Sequence, residues 1–149
     1  MIKIVVFIFL IFLDLFTKFL IQNNLFINQS IKINDFFDLV YVQNFGVSFG
    51  LFSENVPYWL FIIIGLLIVL TIYYLMQVSR NLLEKYAYFI IITGAMGNII
   101  DRSLNTFVVD FISIHYENFY WPAFNLADIY ITIGILMLLF SILIKSKEY

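Results

Sequence analysis

Long apolar runs broken by a few charged positions organise this chain. Four runs approach the length of a membrane crossing, roughly residues 2–21, 57–76, 86–104 and 124–144. About 20 apolar residues cross ~30 Å of hydrocarbon as a helix. The third run reaches that length only by continuing past Asp101. Backbone polar groups in hydrocarbon must bond within their own segment, so the runs predict helices. Gly65, Gly94, Gly97 and Gly134 fall inside them, where small residues let helices approach closely. Residues 22–56 are too long for a tight turn. Ile31, Ile33, Phe36, Phe37, Leu39, Tyr41 and Val42 there predict extended structure. Residues 113–121, rich in Tyr, Phe and Trp, predict an interfacial stretch. The expected fold is an all-α polytopic membrane protein, with four transmembrane helices and a small extracytoplasmic β-rich cradle, forming one domain over residues 1–149.

The first run begins like a signal peptide, with Lys3 ahead of apolar residues. Asp14 and Lys18 interrupt it, no small-residue cleavage site follows, and apolar character resumes through Ile21. A retained membrane helix is expected. The chain is 63% hydrophobic and 12% charged, which excludes an ordinary soluble protein. With no cysteine, thiol catalysis, disulfides and thiolate metal sites are excluded. A single histidine, His115, leaves no histidine-rich metal site and reads as an interfacial polar residue. No basic patch points to nucleic acid. Lys3, Arg80, Lys85, Lys145 and Lys147 fall on one side of a four-span topology, and Lys32 and Arg102 on the other. Both termini are therefore expected in the cytoplasm, with Asp35, Asp38, Glu54, Asp110 and Glu117 facing outward.

Against this background the charges inside or beside apolar runs stand out: Asp14, Lys18, Asp101, Arg102, Asp110 and Asp128. Each costs roughly 2.5–3.5 kcal/mol on insertion scales, so each is a functional candidate. Asp14 and Lys18, four apart, share a helix face with the acid first and read as an ion pair that orients the first helix. Residues 44–50, Asn-Phe-Gly-Val-Ser-Phe-Gly, read as a turn whose Asn44 amide can hold a substrate backbone. Asn98, Asp101 and Arg102 share a face. Asp101 can pair with Arg102 or a neighbour, but a buried Asn98 needs partners. Pro122 suits a helix start, and Asn125 and Asp128 share the face that follows. The helix N-terminal dipole accounts for Asp128. It does not account for Asp110, a second acid in a similarly apolar stretch. Two such carboxylates close together hold one proton between them. The ionised one can then take a proton from water while the other polarises a carbonyl. On spacing alone, an acid-pair enzyme and purely structural acids stand level. A proton or ion relay would spread its charges across the bilayer depth, whereas these gather toward one face.

Five segments in order resemble the lipoprotein signal peptidase (signal peptidase II) family: residues 14–18 (Asp-Leu-Phe-Thr-Lys), 44–50, 93–102 (Thr-Gly-Ala-Met-Gly-Asn-Ile-Ile-Asp-Arg), 108–112 (Val-Val-Asp-Phe-Ile) and 124–128 (Phe-Asn-Leu-Ala-Asp). The resemblance implies a metal- and cofactor-independent aspartyl endopeptidase of the bacterial cytoplasmic membrane. Such an enzyme cuts diacylglyceryl-prolipoproteins just before the lipid-bearing cysteine. It implies Asp110 and Asp128 as the catalytic pair. It also implies that Asp14, Lys18, Asn44, Gly46, Asn98, Asp101, Arg102 and Asn125 shape or support the site. Prolipoprotein and membrane lipid are the expected partners, and a monomer the expected state. Two positions depart from the family pattern: Thr93 stands where glycine is common, and Ile129 where a smaller residue is frequent.

Overall fold

A computed structural model describes residues 2–46 and 56–145. The second half of the 44–50 motif, Glu54 and Lys147 lie outside the described residues. Four helices dominate: α1 (Ile2–Asn24), α2 (Tyr58–Val78), α3 (Leu82–Asn105) and α4 (Leu126–Lys145). Strands β1 (Ser30–Lys32), β2 (Phe37–Asn44), β3 (Val108–Tyr116) and β4 (Phe119–Tyr120) form one antiparallel sheet in the order β1-β2-β3-β4. Three helices, α1, α2 and α4, are long and apolar enough to cross a membrane. The third predicted span, α3, has the length but is more polar. It packs against α1, α2 and α4, and carries Asn98, Asp101 and Arg102.

The helix ends follow local chemistry. α3 begins four residues before the predicted span because the Asn81 side chain accepts from Leu83 N (2.8 Å) and Glu84 N (3.4 Å). Residue 57, a proline, precedes α2. α4 starts at Leu126, two residues later than predicted. Phe124 is held in extended form by exchanging backbone bonds with Ile112 (2.8 and 3.0 Å), and Asn125 then caps the helix. Its Oδ1 accepts from Asp128 N (3.0 Å), and Asp128 Oδ2 accepts from Asn125 N (3.1 Å). This reciprocal pair satisfies amides that a helix start leaves open.

The small cradle exists, and half of it comes from a stretch predicted otherwise. Residues 108–116 form one strand, β3, paired with β2 as Val42↔Asp110 and Asn44↔Val108. Residues 113–121 fold as the end of that strand and a hairpin to β4, with the β-branched residues Val108, Val109, Ile112 and Ile114 favouring the strand. His115 belongs to the same hairpin, paired with Tyr120. It is buried on the sheet, stacked on Tyr120, with Nε2 3.3 Å from Asp38 Oδ1. Asp38 is buried beneath it. Val109 and Phe111 pack with Ile21 and Leu25 at the end of α1 and with Tyr41. Alternation along a strand then turns Asp110 to the opposite face.

Two contacts set the relative direction of the helices. Lys3 lies over the Tyr86 ring (5.2 Å), joining the starts of α1 and α3. Asn81 donates to Ser141 Oγ (3.2 Å), bringing the α2–α3 turn to the end of α4. The helices thus alternate in direction. The sheet, Asp14, Lys18, Asn98, Asp101 and Asp128 all lie toward the other end.

Candidate active site

Every residue proposed from the sequence as a site residue joins one cluster. Asp14 and Lys18 form the expected ion pair (2.9 Å), with each side chain about 1% exposed. A buried ammonium needs its remaining protons bound. Lys18 Nζ also donates to Asn98 Oδ1 (2.8 Å) and lies 3.4 Å from Asp101 Oδ2. Asp14 Oδ1 accepts from Ala127 N (2.9 Å), tying α1 to the first turn of α4. Gly97 makes that approach possible: a methyl there would meet Asp14 Oδ2 at 2.7 Å.

Asp101 is not paired with Arg102. Neighbouring residues on a helix do not face each other, and the two turn to different tasks. Asp101 Oδ2 accepts from Val109 N (2.8 Å) and Oδ1 from Asn105 Nδ2 (2.8 Å), which anchors the start of β3. Arg102 donates to the carbonyl oxygens of Asn44 (3.3 Å) and Gly46, and its guanidinium lies over the Phe61 ring (5.2 Å). One cation thereby holds the end of β2 between α2 and α3.

Four helix and strand ends converge on Asp110 and Asp128. Asn44 Nδ2 donates to Asp110 Oδ2 (2.9 Å), and Asn125 Nδ2 to Asp110 Oδ1 (2.7 Å). Asn98 Nδ2 donates to Asp128 Oδ1 (2.9 Å), while Asn125 N reaches Asp128 Oδ2. Asn125 thus holds both acids, one by its side chain and the other by its backbone, and is itself fully buried. Among the described residues neither acid takes part in an ion pair. Burial, and next the nearby Asp128 charge, push the Asp110 carboxyl up to about 7, against the lowering influence of the Asn44 and Asn125 hydrogen bonds and the Lys18 charge. A pair in this setting can hold one proton and one negative charge near neutral pH.

The sequence reading did not find the backbone amides of Ala127 and Val109, which bind Asp14 and Asp101. Backbone donors carry no residue signature. It also did not assign Phe61 under Arg102, since one aromatic in an apolar helix is indistinguishable from its neighbours. Among the described residues, no three His, Asp or Glu side chains converge as a metal site.

A family model described as signal peptidase (SPase) II matches residues 6–144. A lipoprotein signal peptidase of Wigglesworthia glossinidia brevipalpis is 42% identical over 140 residues, covering 93% of this chain and 90% of that protein. Another, of Francisella tularensis subsp. novicida, is 36% identical over 141 residues, covering 91% and 87%. A solved structure of a bacterial membrane enzyme superimposes with a TM-score of 0.88 at 29% identity, over 98% of this chain and 90% of that one.

Proposed function

The chain belongs to the signal peptidase II family, and on that premise we propose that Asp110 and Asp128 are the acid pair with which it cuts signal peptides from prolipoproteins. The observation that carries this reading is Asn125, whose two nitrogens bind one carboxylate each. A residue so placed fixes the separation and orientation of two buried acids, which a purely structural role does not require. The clustering also counts against a proton relay, because Asp14, Lys18, Asp101, Asp110 and Asp128 gather at one end of the bundle rather than along its depth.

The chemistry follows from the shared proton. The ionised carboxylate removes a proton from water as the water oxygen attacks the scissile carbonyl carbon. The protonated carboxyl gives its proton to the carbonyl oxygen, leaving a neutral gem-diol. When the C–N bond breaks, the acid that took the water proton delivers it to the departing nitrogen, and the other recovers its proton from the diol. Asn44, Asn98 and Asn125 hold the acids, and the half-buried Asn44 and Asn98 have further amide capacity for a substrate backbone. The substrate is a diacylglyceryl-prolipoprotein cut before its lipidated cysteine, with its signal helix and acyl chains lying in grooves between helices. The enzyme acts as a monomeric single domain over residues 1–149, and needs no cofactor.

All four helices span the bacterial cytoplasmic membrane in this reading. α3 is the more polar span, because α1, α2 and α4 surround much of it. Lys3, Arg80 and Lys85 lie at the end away from the acids, so that end and both termini are cytoplasmic. A thiol probe on Asn34→Cys is expected to label from outside intact cells. Protection there, with labelling at Arg80→Cys, reverses the orientation.

Purified enzyme with a diacylated prolipoprotein tests the activity: cleavage falls immediately before the modified cysteine, and an unlipidated control is cut far more slowly. The rate is expected to fall as pH rises through about 7, where the pair loses its proton. Stability follows the same direction. The raised Asp110 carboxyl favours the folded state fully below the ordinary carboxylate range, and that contribution is lost as pH rises through about 7. A rate that climbs steadily from pH 6 to 9 removes the shared-proton mechanism.

A further inference from the structure

The end of the bundle remote from the acids carries a second polar feature that peptide cleavage does not use. A cavity of about 210 Å³ lies where α1, α2 and α3 meet, lined by Lys3, Met76, Gln77, Lys85, Tyr86 and Phe89. α1 and α2 both pack on α3, and the cavity opens at that three-helix junction. Two ammonium groups from different helices share its wall. Lys3 lies over the Tyr86 ring, a contact that orients the side chain and leaves its charge uncancelled. Neither Lys3 nor Lys85 is ion-paired among the described residues. The carboxylate next in sequence, Glu84, instead accepts from Ser79 Oγ (2.6 Å) and Ser141 Oγ (3.2 Å), bonds that serve the α2–α3 turn and α4.

We propose that this cavity binds the headgroup phosphate of an anionic phospholipid from the cytoplasmic leaflet. The complementarity has two parts. Lys3 and Lys85 supply charge, and Gln77 an uncharged amide donor, for phosphate oxygens. Met76 and Phe89 supply an apolar wall beside it, against which the start of the acyl chains can pack. A soluble anion uses only the first part; an amphiphile uses both. Basic pockets between membrane helices at the cytoplasmic surface suit such headgroups, and the leaflet is itself anionic. The proposal rests on the bundle lying in a bilayer with this end cytoplasmic, and not on the roles of Asp110 and Asp128, so a failure of either leaves the other standing.

The test uses the full-length enzyme in detergent, titrated with phosphatidylglycerol, phosphatidylcholine of the same chains, or inorganic phosphate, with Tm as the readout. Phosphatidylglycerol is expected to raise Tm saturably, and the other two to leave it unchanged. Lys3→Gln with Lys85→Gln should weaken the phosphatidylglycerol response roughly 25-fold in affinity, about fivefold per lysine. Lys3→Arg with Lys85→Arg should preserve it. The single Lys85→Gln variant gives the same reading at about fivefold if the double variant folds poorly. Prolipoprotein cleavage in detergent without added lipid should be the same in all variants. An undiminished response in the glutamine variants overturns the site. An equal response to phosphatidylcholine, or to inorganic phosphate, overturns the anionic lipid as its occupant.

Discussion

Asp110→Asn and Asp128→Asn are each expected to lower prolipoprotein cleavage by at least roughly 10³–10⁴-fold while the bundle stays folded. An amide can neither take a proton from water nor hold the shared one. The structural cost is smaller and calculable in kind. Asp110 accepts from Asn44 and Asn125 through its two oxygens, and an asparagine there must turn its NH₂ toward one of those donors. Asp128 meets the same conflict between Asn98 Nδ2 and Asn125 N. One frustrated buried donor costs about 1–3 kcal/mol, which lowers Tm without unfolding a helical bundle. Cleavage and Tm measured on the same preparations separate the two effects. Wild-type turnover in both variants would falsify the acid-pair mechanism, and loss of activity only in proportion to lost fold would return both acids to a structural role.

Lys18→Met is expected to be the most destabilising single change at the site. Lys18 Nζ lies between Asp14 and Asp101, all three side chains nearly inaccessible. Removing the cation leaves two buried carboxylates without their counter-charge, a loss of about 3–5 kcal/mol. Activity should fall too, because Asn98 loses the Lys18 contact at its Oδ1 and with it the orientation of the amide that binds Asp128. Adding Asp14→Asn to Lys18→Met should recover part of the stability, since it removes one stranded charge, and the two changes are therefore non-additive. An unchanged Tm for Lys18→Met, or strict additivity in the double variant, would show that the network is looser than its distances imply.

Legibility in the sequence tracked the range of each interaction. The helices were readable because apolar runs and their lengths are local properties. The Asp14–Lys18 pair was readable because a spacing of four places both on one helix face. The Asp101–Arg102 pairing considered from adjacency does not form, because Lys18 and the Val109 amide reach Asp101 first. β3 was obscured because residues 108–116 were divided between an acid-bearing motif and an aromatic stretch, and only pairing with β2 makes them one strand. The same pairing buries His115 and Asp38 together, contacts 77 residues apart in the chain. Asn125 was marked by resemblance, but its hold on both acids depends on a helix cap and a strand arriving at one place.

The chain's own residues determined that this is a helical protein with several segments suited to hydrocarbon, few charges, and those charges concentrated near certain run ends. Composition and periodicity suffice for that, since each segment's preference for lipid or water is set by its own side chains. Tertiary structure alone decided that α3 lies among the other helices, that β2 and β3 carry Asn44 and Asp110 to the end of α4, and that one asparagine joins the two acids. Those outcomes depend on which distant groups satisfy one another's hydrogen bonds and charges in a setting with little water, a question no single stretch of sequence can answer.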